Sequence, residues 1–140
     1  MQTAKEKIEQ LLPHRKPFLF VDEIEFVSDK EIIGSKTFGE ECIWLAGSFA
    51  EHSFIPEMIL LESMVQCGGA GMRLLKNTSG LFGLASIDSA IFVKGAEFDQ
   101  IITYAIQNIR LSEKLIKQSG IAYANKQPLL EATWTCLRIA

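Results

Sequence analysis

The fold is decided by residues 56–75, which read Pro-Glu-Met-Ile-Leu-Leu-Glu-Ser-Met-Val-Gln-Cys-Gly-Gly-Ala-Gly-Met-Arg-Leu-Leu. A proline followed by Glu57 is typical of a first helical turn, where the missing N–H needs no partner and the helix dipole favours a negative charge. The stretch is apolar on nearly every face, which is typical of a helix in a protein interior. Gly68, Gly69 and Gly71 each weaken a helix by about 1 kcal/mol relative to alanine, so they indicate that another backbone lies very close. We therefore predict a buried central helix.

The polar side chains of this helix fall on one stripe. Four residues are spaced i, i+4, i+7 and i+11 and so share one face: Glu62, Gln66, Gly69 and Arg73. An ionised carboxylate in apolar surroundings is unfavourable unless it has a partner or takes up a proton, and such poised acids serve in general acid–base chemistry. The alternative is that Glu62 pairs with a basic residue, either Arg15 or Arg73, and only holds layers of the protein together.

Size and composition bound the class of protein. The chain is predicted to form one domain, residues 1–140, and its 48% hydrophobic and 22% charged residues are those of a globular protein. A net charge of −3 without a basic run argues against a nucleic-acid binder, and the interrupted helix argues against a membrane span. Three cysteines without metal-ligand spacing indicate free thiols in a reducing compartment: Cys42, Cys67 and Cys136. With a polar N-terminus and no signal peptide, the protein is expected in the cytoplasm.

Hydrophobic periodicity predicts the other elements. Residues 3–12 are predicted to form a short amphipathic helix that ends at Pro13. Strands are predicted at 18–27, 31–38, 81–92, 99–111, 115–124 and 129–139, with turns near 94–97, 112–114 and 125–128. Residues 39–55 are predicted to be a long loop with a short helix near 42–45, and residues 77–80 a turn that ends the central helix. One buried helix with roughly six strands predicts an α+β fold, in which an antiparallel sheet curls around the helix.

Three motifs resemble the FabZ-type 3-hydroxyacyl-[acyl-carrier-protein] dehydratases. Residues 12–22, Leu-Pro-His-Arg-Lys-Pro-Phe-Leu-Phe-Val-Asp, are similar to the family's Leu-Pro-His-Arg-x-Pro-Phe-Leu-x-Val-Asp. Residues 47–49, Pro56 and residues 61–66 fall without a gap on the family's Gly-His-Phe-Pro, Pro-Gly and Glu-Ala-x-x-Gln. Residues 83–92 are similar to Gly-x-x-x-x-Asp-x-Ala-x-Phe, so the resemblance covers essentially the whole chain.

The resemblance implies a hotdog fold, in which the antiparallel sheet wraps the long helix, and a dimer with active sites at the subunit interface. It implies that a loop histidine of one subunit takes the C2 proton of a 3-hydroxyacyl thioester. The helix carboxylate of the other subunit, here Glu62, then gives a proton to the departing hydroxyl. The helix N-terminus would polarise the thioester carbonyl, which assigns substrate contacts to Phe49, Pro56, Glu57 and Met58. No cofactor or metal is implied, since the substrate arrives as a phosphopantetheine thioester.

The chain departs from the family pattern where the histidine is expected. That position is Ser48, and a serine hydroxyl has no useful basicity at neutral pH. Ala50 and Ser53 stand where the family loop has prolines, and Glu57 stands where it has a glycine. The later Pro-Gly-Asp turn of the family is also degraded, at residues 97–99. A homodimer of this chain would therefore have two carboxylates and no family histidine.

Other motif residues have predicted roles as well. His52 lies four residues beyond the expected histidine, so a shifted loop would make it a substitute base, the alternative being a solvated loop histidine. His14 belongs to a motif that the resemblance marks as structural, tying the N-terminal segment to the helix layer. We interpret Arg15 as the neutraliser of the buried acid. We interpret Gln66, one turn beyond Glu62, as a support that holds the acid through its amide.

Three functional hypotheses follow from these observations. The leading one is a dehydratase-type subunit of fatty-acid or polyene-type biosynthesis that is incomplete alone. It would complete a composite site, through Glu62, with a histidine-bearing partner. An imidazole of this same chain beside Glu62 would rule it out. The second is a hotdog acyl-thioesterase in which Glu62 is the base or the nucleophile. The third is a non-catalytic acyl-binding or scaffolding subunit.

The substrate class defines the expected partners. These are an acyl carrier protein or an acyl-CoA and a second hotdog subunit, in a homodimer or a heterodimer. An acyl carrier protein is acidic, so its docking surface is expected to be locally basic. The candidate positions, for which scattered surface charge is the simpler explanation, are Arg15, Lys16, Lys94, Arg110, Lys114 and Lys117.

Overall fold

The computed structural model describes residues 4–76 and 80–140. Within these ranges the chain begins with the helix α1 (Ala4–Leu11), the strands β1 (Glu23–Val27) and β2 (Glu31–Thr37), a 3₁₀ helix (Glu40–Leu45), the strand β3 (Phe54–Ile55) and the long helix α2 (Glu57–Lys76). Five strands follow: β4 (Phe82–Phe92), β5 (Ala96–Glu97), β6 (Ile101–Leu111), β7 (Leu115–Ala124) and β8 (Gln127–Arg138). No helix in this described part of the chain is long and apolar enough to cross a membrane.

One antiparallel sheet carries the fold, with the strand order β1-β2-β6-β7-β8-β4. Buried and more exposed residues alternate along β7 and the first part of β6, because successive side chains point to opposite faces. The turn between β7 and β8 is formed by Asn125 and Lys126, whose positive φ angles of 51° and 64° match the twist of a tight hairpin. The helix α2 contacts all six strands of this sheet. The predicted α+β arrangement is confirmed.

The core lies between α2 and the sheet. Leu61, Met64 and Cys67 of α2 are at most 2% exposed, and they share the core with Tyr104 and Trp134, which are fully buried in β6 and β8. Burying one large apolar side chain contributes about 1.5–3 kcal/mol to stability. The hydrophobic face of the sheet and the apolar surface of α2 therefore stabilise each other by mutual burial.

The predicted strand 18–27 is wrong in its first half. Residues 18–22 lie outside β1, and side chains of α2 take up backbone hydrogen-bonding groups of Phe18 and Phe20. The Phe20 N–H donates to Gln66 Oε1 at 2.8 Å, and Ser63 Oγ donates to the Phe20 carbonyl at 2.6 Å. Gln66 Nε2 also donates to the Phe18 carbonyl at 3.0 Å. The segment is thereby fixed against the middle of α2.

Two short strands fall in regions predicted to be loop and turn. β3 pairs with β5 over two residues each, which is too short to leave a pattern in the sequence. The 3₁₀ helix is longer than the short helix predicted near 42–45. The four long strands of the C-terminal half agree with the prediction within two residues at each end. Of the predicted turn 77–80, residues 77–79 lie outside the described residues.

The glycines of α2 make room for side chains, and the predicted close approach of another backbone is wrong. A Cβ at Gly68 would collide with the amide of Gln118 on β7, and one at Gly71 would collide with the side chain of Ile32 on β2. A Cβ at Gly69 would have a single neighbour, at 3.7 Å. Gly68 and Gly71 therefore allow close packing of helix on sheet, whereas Gly69 leaves space beside the helix.

Alanine at the two adjacent glycines is expected to change stability in opposite directions. Gly69→Ala is expected to raise the free energy of unfolding by up to about 1 kcal/mol, the difference in helix propensity. Gly68→Ala is expected to lower it by about 1–3 kcal/mol through overpacking. Gln118 would have to leave its place, where its amide donates to Asn108 Oδ1 at 2.9 Å. Urea unfolding of both variants measures the difference, and equal changes in both would contradict this packing.

Candidate active site

The carboxyl group of Glu62 is held by one oxygen and free at the other. Glu62 lies in the second turn of α2, and its side chain is 23% exposed, so it is less buried than predicted. Oε2 accepts a hydrogen bond of 2.7 Å from Nε2 of Gln66, one turn further along the helix. Oε1 accepts no hydrogen bond from the described residues. The group is thus oriented without being enclosed.

The amide of Gln66 has one possible orientation. Its Oε1 accepts the Phe20 N–H at 2.8 Å, so its Nε2 must be the atom that faces Glu62. The two protons of Nε2 go to the Phe18 carbonyl and to Glu62 Oε2. Gln66 therefore always presents a donor to Oε2, which occupies one of the two lone-pair positions of that oxygen. The contact predicted between these two residues is present, while its catalytic role stays a prediction.

An imidazole of the same chain lies beside this carboxyl group. His14 Nε2 is 3.8 Å from Glu62 Oε2, which is within ion-pair range but longer than a hydrogen bond. The other nitrogen, Nδ1, is buried and has no hydrogen-bond partner among the described residues. Burial lowers the pKa of His14 below its ordinary value of 6.5, and the charge of Glu62 opposes part of this effect. The ring is therefore neutral near pH 7.

The arginines predicted to neutralise Glu62 are engaged elsewhere, so that prediction is wrong. Arg15 donates to two backbone carbonyls, at 2.7 and 2.8 Å, and its Nε lies 3.8 Å from a carboxylate oxygen of Glu9. Arg73 donates to the Gly80 carbonyl at 2.9 Å. Both guanidinium groups therefore form hydrogen bonds to nearby backbone carbonyl oxygens. In this motif the side chain that lies beside Glu62 is that of His14, the residue before Arg15.

The polar stripe predicted on α2 lines a cleft of about 150 Å³. All four residues of the stripe lie on its wall, together with His14. The rest of the wall is largely apolar and includes Leu12, Pro13, Val65, Met72, Leu81, Phe82, Leu84, Ile116 and Cys136. A cavity of this size can hold a group as large as benzene. The cleft therefore offers an apolar space for an acyl segment, and the carboxyl group of Glu62 lies on its wall.

The loop that resembles the family's histidine loop does not reach this cleft. Ser48 is exposed, and its hydroxyl donates to the Leu45 carbonyl at 2.6 Å. His52 is also exposed, and its ring stacks on Phe54 with 5.7 Å between the centroids. Neither Ser48 nor His52 lines the cleft beside Glu62. Within one chain, the loop brings no base to the helix acid.

The predicted substrate contacts surround the start of α2 and also lie apart from the cleft. The Leu60 N–H donates to the Pro56 carbonyl at 3.1 Å, so the helix begins directly after this proline. Glu57 and Met58 are exposed in its first turn, and Phe49 is half-buried in the preceding loop. The role of Phe49, Pro56, Glu57 and Met58 in substrate binding stays a prediction.

An ion-pair cluster around the buried Lys36 lies at the beginning of the loop 39–55. It was not predicted from the sequence. Lys36 of β2 is 3% exposed, and its Nζ lies 3.1 Å from Asp22 Oδ1 and 3.0 Å from Glu41 Oε1. Burial alone would lower the pKa of Lys36, but the two carboxylates outweigh it and the pKa is raised. A lysine in an amphipathic strand is normally read as a solvent-facing residue, so the sequence gives no signal for this cluster. Among the described residues, no group of His, Cys, Asp and Glu side chains could hold a metal ion.

The outermost strand of the sheet, β4, borders the cleft. β4 pairs with β8 along one edge and with no described strand along the other. Exposed apolar side chains occur along β4 and directly after it: Leu84, Ile87, Ile91, Phe92 and Val93. A long, apolar, open edge is a surface that readily pairs with another chain. A subunit bound there would stand next to the cleft, because Leu84 belongs to both.

The free energy of unfolding is expected to fall as the pH drops below about 6.5, in part because of His14. The unfolded chain has the ordinary histidine pKa and the folded chain a lower one, so in this window the unfolded state binds more protons. The contribution of His14 is fully present above 6.5 and is lost as the pH falls through the folded-state value. Urea unfolding between about pH 5 and 8 measures it. His14→Gln should flatten the acid side of the curve, and His52→Gln, at an exposed position, is the matched control.

Comparison with known proteins defines the family, although no family model matches the chain. The 3-hydroxyacyl-[acyl-carrier-protein] dehydratase FabZ of Caldanaerobacter subterraneus subsp. tengcongensis is 32% identical over 124 residues, which are 86% of this chain and 86% of that protein. A chain of the dehydratase heterocomplex ApeI:P from Xenorhabdus doucetiae superposes with a TM-score of 0.81 at 15% identity, over 95% of this chain and 91% of that chain. A hypothetical thioesterase with coenzyme A from Streptococcus pneumoniae TIGR4 superposes with a TM-score of 0.64 at 13% identity, over 84% and 88% of the two chains. The structural likenesses show the hotdog fold, and the sequence relationship shows that this chain belongs to the FabZ-type 3-hydroxyacyl-[acyl-carrier-protein] dehydratase family.

Proposed function

We propose that this chain is a dehydratase-type subunit that takes part in eliminating water from a 3-hydroxyacyl thioester, with Glu62 as the proton donor. The observation that carries the proposal is the carboxyl group of Glu62, fixed through Oε2 by Gln66 and free at Oε1, on the wall of a cleft of acyl-group size. In the reaction the C2 proton passes to a base, the C2–C3 double bond forms and the C3–O bond breaks. Glu62 gives its proton to the leaving hydroxyl, which departs as water.

The proton acceptor in this proposal is the loop histidine of a second hotdog subunit. The loop of this chain has Ser48 at that position, and the hydroxyl is bonded to its own loop at 2.6 Å. The open edge of β4 borders the cleft and offers a place for the second subunit. A dehydratase heterocomplex among the structural neighbours supports this kind of pairing. The chain would then contribute the acid to one composite site and no base to the other.

His14 is an imidazole of this same chain beside Glu62, the arrangement expected to rule out an incomplete subunit, but the surroundings of its two nitrogens argue against its acting as the proton acceptor. Nε2 is the nitrogen that faces Glu62, so accepting a proton there requires that the neutral ring already carry its proton on Nδ1. Nδ1 is buried without a partner among the described residues, and an unpaired buried donor costs about 1–3 kcal/mol. We therefore keep the acceptor on the partner subunit and include His14 in the test.

The carrier of the substrate is proposed to be an acyl carrier protein, as in fatty-acid or polyene-type chain assembly. Of the basic positions predicted from the sequence, Arg15 and Lys16 are exposed directly after His14, which lines the cleft. Lys117 instead pairs with Asp88 at 3.7 Å. An acidic carrier protein that docks on Arg15 and Lys16 would place its thioester near Glu62. An acyl-CoA, which lacks this protein surface, is the alternative carrier.

The test is turnover of 3-hydroxyacyl thioesters of carrier protein and of CoA by the purified chain, alone and mixed with a histidine-bearing hotdog subunit. We expect no dehydration by the lone chain and more dehydration by the mixture than by the partner alone. Dehydration by the lone chain that is lost in His14→Gln would place both groups in one chain. Release of free thiol that is lost in Glu62→Gln would indicate a thioesterase. Absence of turnover with either carrier, in a mixture that native mass spectrometry shows to contain the mixed dimer, would indicate an acyl-binding or scaffolding subunit.

A further inference from the structure

His14 is a titratable group on the cleft wall to which the proposed reaction assigns no step. Its side chain is half-buried, with Nε2 3.8 Å from Glu62 Oε2 and Nδ1 enclosed without a partner among the described residues. The oxygen that it faces is the one that also accepts the hydrogen bond from Gln66. Two nitrogens of neighbouring side chains thus converge on a single oxygen of the proton donor.

The two ring nitrogens have surroundings that favour one tautomer. A neutral imidazole carries a single proton, on either Nδ1 or Nε2. On Nδ1 the proton would be a buried donor that no described group receives, and such orphaned N–H groups are rarer than unpaired acceptors. On Nε2 the proton would have a carboxylate oxygen of Glu62 at 3.8 Å from its nitrogen. The Nε2–H tautomer therefore fits this environment, and it makes His14 a donor.

The segment that carries His14 is anchored on both sides. Before it, the Leu12 N–H donates to the Ile8 carbonyl at 3.0 Å, the last such bond after α1. After it, the backbone of residues 18–20 is bonded to Gln66, the same side chain that holds Glu62. Gln66 therefore fixes the carboxyl group and the segment of the imidazole relative to each other. A shift of about 1 Å would close the distance to that of a hydrogen bond.

We propose that His14 is a positioning residue for Glu62: its Nε2–H and the amide of Gln66 together hold Oε2, so that the transferable proton sits on Oε1. The inference rests on the proposed function of Glu62 as the proton donor. An oxygen that receives two donors cannot itself carry the acidic proton, which leaves the unpaired oxygen for the leaving hydroxyl. His14 then orients the acid and takes no proton from the substrate.

NMR of the isolated chain with ¹⁵N-labelled histidine tests this contact without any activity. The chain has two histidines, and His52→Gln assigns the signals of His14. We expect a protonated Nε2 and a bare Nδ1 near pH 7. In Glu62→Gln we expect the pKa of His14 to fall further, because burial already lowers it and the charge of Glu62 opposes that effect. A proton on Nδ1, or a charged ring at pH 7, would overturn the proposal.

Two amide variants separate a donor from a base in a mixture with a histidine-bearing subunit whose own helix acid has been replaced by glutamine, so that every turnover uses Glu62 of this chain. The side chain of His14→Gln can place its N–H where Nε2 lies, whereas that of His14→Asn reaches only the position of Nδ1, and neither amide can serve as a base. We expect His14→Gln to keep kcat within a few-fold. We expect His14→Asn to lower kcat by about 10²-fold, the effect of a misplaced catalytic group, with little change in KM.

The other outcomes of this experiment each have one meaning. Equal large losses in both variants would make His14 the proton acceptor. Full activity in both would show that Glu62 is positioned without it, and either result overturns the proposal. If the unchanged mixture is inactive although native mass spectrometry shows the mixed dimer, the proposed function fails, and the tautomer measured by NMR still decides whether His14 donates to Glu62.

Discussion

Glu62→Gln is expected to lower the rate of water elimination by about 10²- to 10⁴-fold, the range that a positioned general acid contributes. The glutamine side chain has the same length, and its amide oxygen can accept the hydrogen bond that Gln66 gives to Oε2 at 2.7 Å. It has no acidic proton for the leaving hydroxyl. The loss should therefore lie in kcat, with KM and the thermal unfolding midpoint close to those of the unchanged chain.

The measurement needs an assay in which every turnover uses this chain. A histidine-bearing hotdog subunit whose own helix acid has been replaced by glutamine provides one, because its homodimer keeps the base and lacks the acid. Mixed with this subunit, the unchanged chain is expected to restore dehydration, and the Glu62→Gln chain is not. Glu62→Asp is the matched control, since it keeps an acid on a side chain one methylene shorter and should give an intermediate rate.

Two results would contradict this assignment. Restoration by Glu62→Gln as strong as that by the unchanged chain would remove Glu62 from the chemistry. Failure of both, with a mixed dimer shown by native mass spectrometry, would mean that the helix acid does not face the partner's histidine. A failure without mixed dimers would point to the wrong partner, so the mass measurement accompanies each assay.

The elements that could be predicted from the sequence are those with a long periodic signal. The spacing of Glu62, Gln66, Gly69 and Arg73 predicted one face of a buried helix, and in the structure all four line one cleft. The long strands β4, β6, β7 and β8 were predicted within two residues because each is a run of ten or more positions rich in β-branched, aromatic or alternating apolar residues. The period and the length of a hydrophobic pattern are properties of the local sequence, so these elements can be predicted without knowledge of tertiary contacts.

The elements that were mispredicted depend on contacts between distant residues. The strand-forming segment 18–22 lies outside β1, and the backbone groups of Phe18 and Phe20 bond to Ser63 and Gln66, more than forty positions away. The β-propensity of a segment contains no information about such distant partners. The predicted pairing of Glu62 with Arg15 failed for a related reason. A guanidinium group finds carbonyl oxygens of its own segment at 2.7 and 2.8 Å, which leaves its neighbour His14 to face the acid.

Ser48→His is expected to give the isolated chain dehydratase activity, about 10²- to 10⁴-fold above that of the unchanged chain, the contribution of a general base. Ser48 is exposed, and the substitution removes one hydrogen bond, from its hydroxyl to the Leu45 carbonyl, so the cost in stability is about 1 kcal/mol. In a homodimer paired at the β4 edge, the new imidazole would face Glu62 of the other copy. Both composite sites would then have a base and an acid.

The neighbouring departures from the family loop decide how much of this gain appears. Ala50 and Ser53 stand where the family has prolines, which restrict the backbone, and Glu57 places a charge where it has a glycine. Adding Ala50→Pro, Ser53→Pro and Glu57→Gly to Ser48→His should therefore raise the activity further, because the loop would be held in the geometry that the base requires.

Three controls make the gain interpretable. Ser48→Gln adds a polar side chain without a base and should stay inactive, and Ser48→His combined with Glu62→Gln should lose the gain, because the acid is then missing from both sites. Light scattering must show a dimer in each variant. If the dimeric variant with all four loop substitutions is still inactive, the loop of one subunit does not reach the helix acid of the other. Glu62 would then need a base from elsewhere, and His14, the imidazole that lies 3.8 Å from its Oε2, would become the candidate proton acceptor.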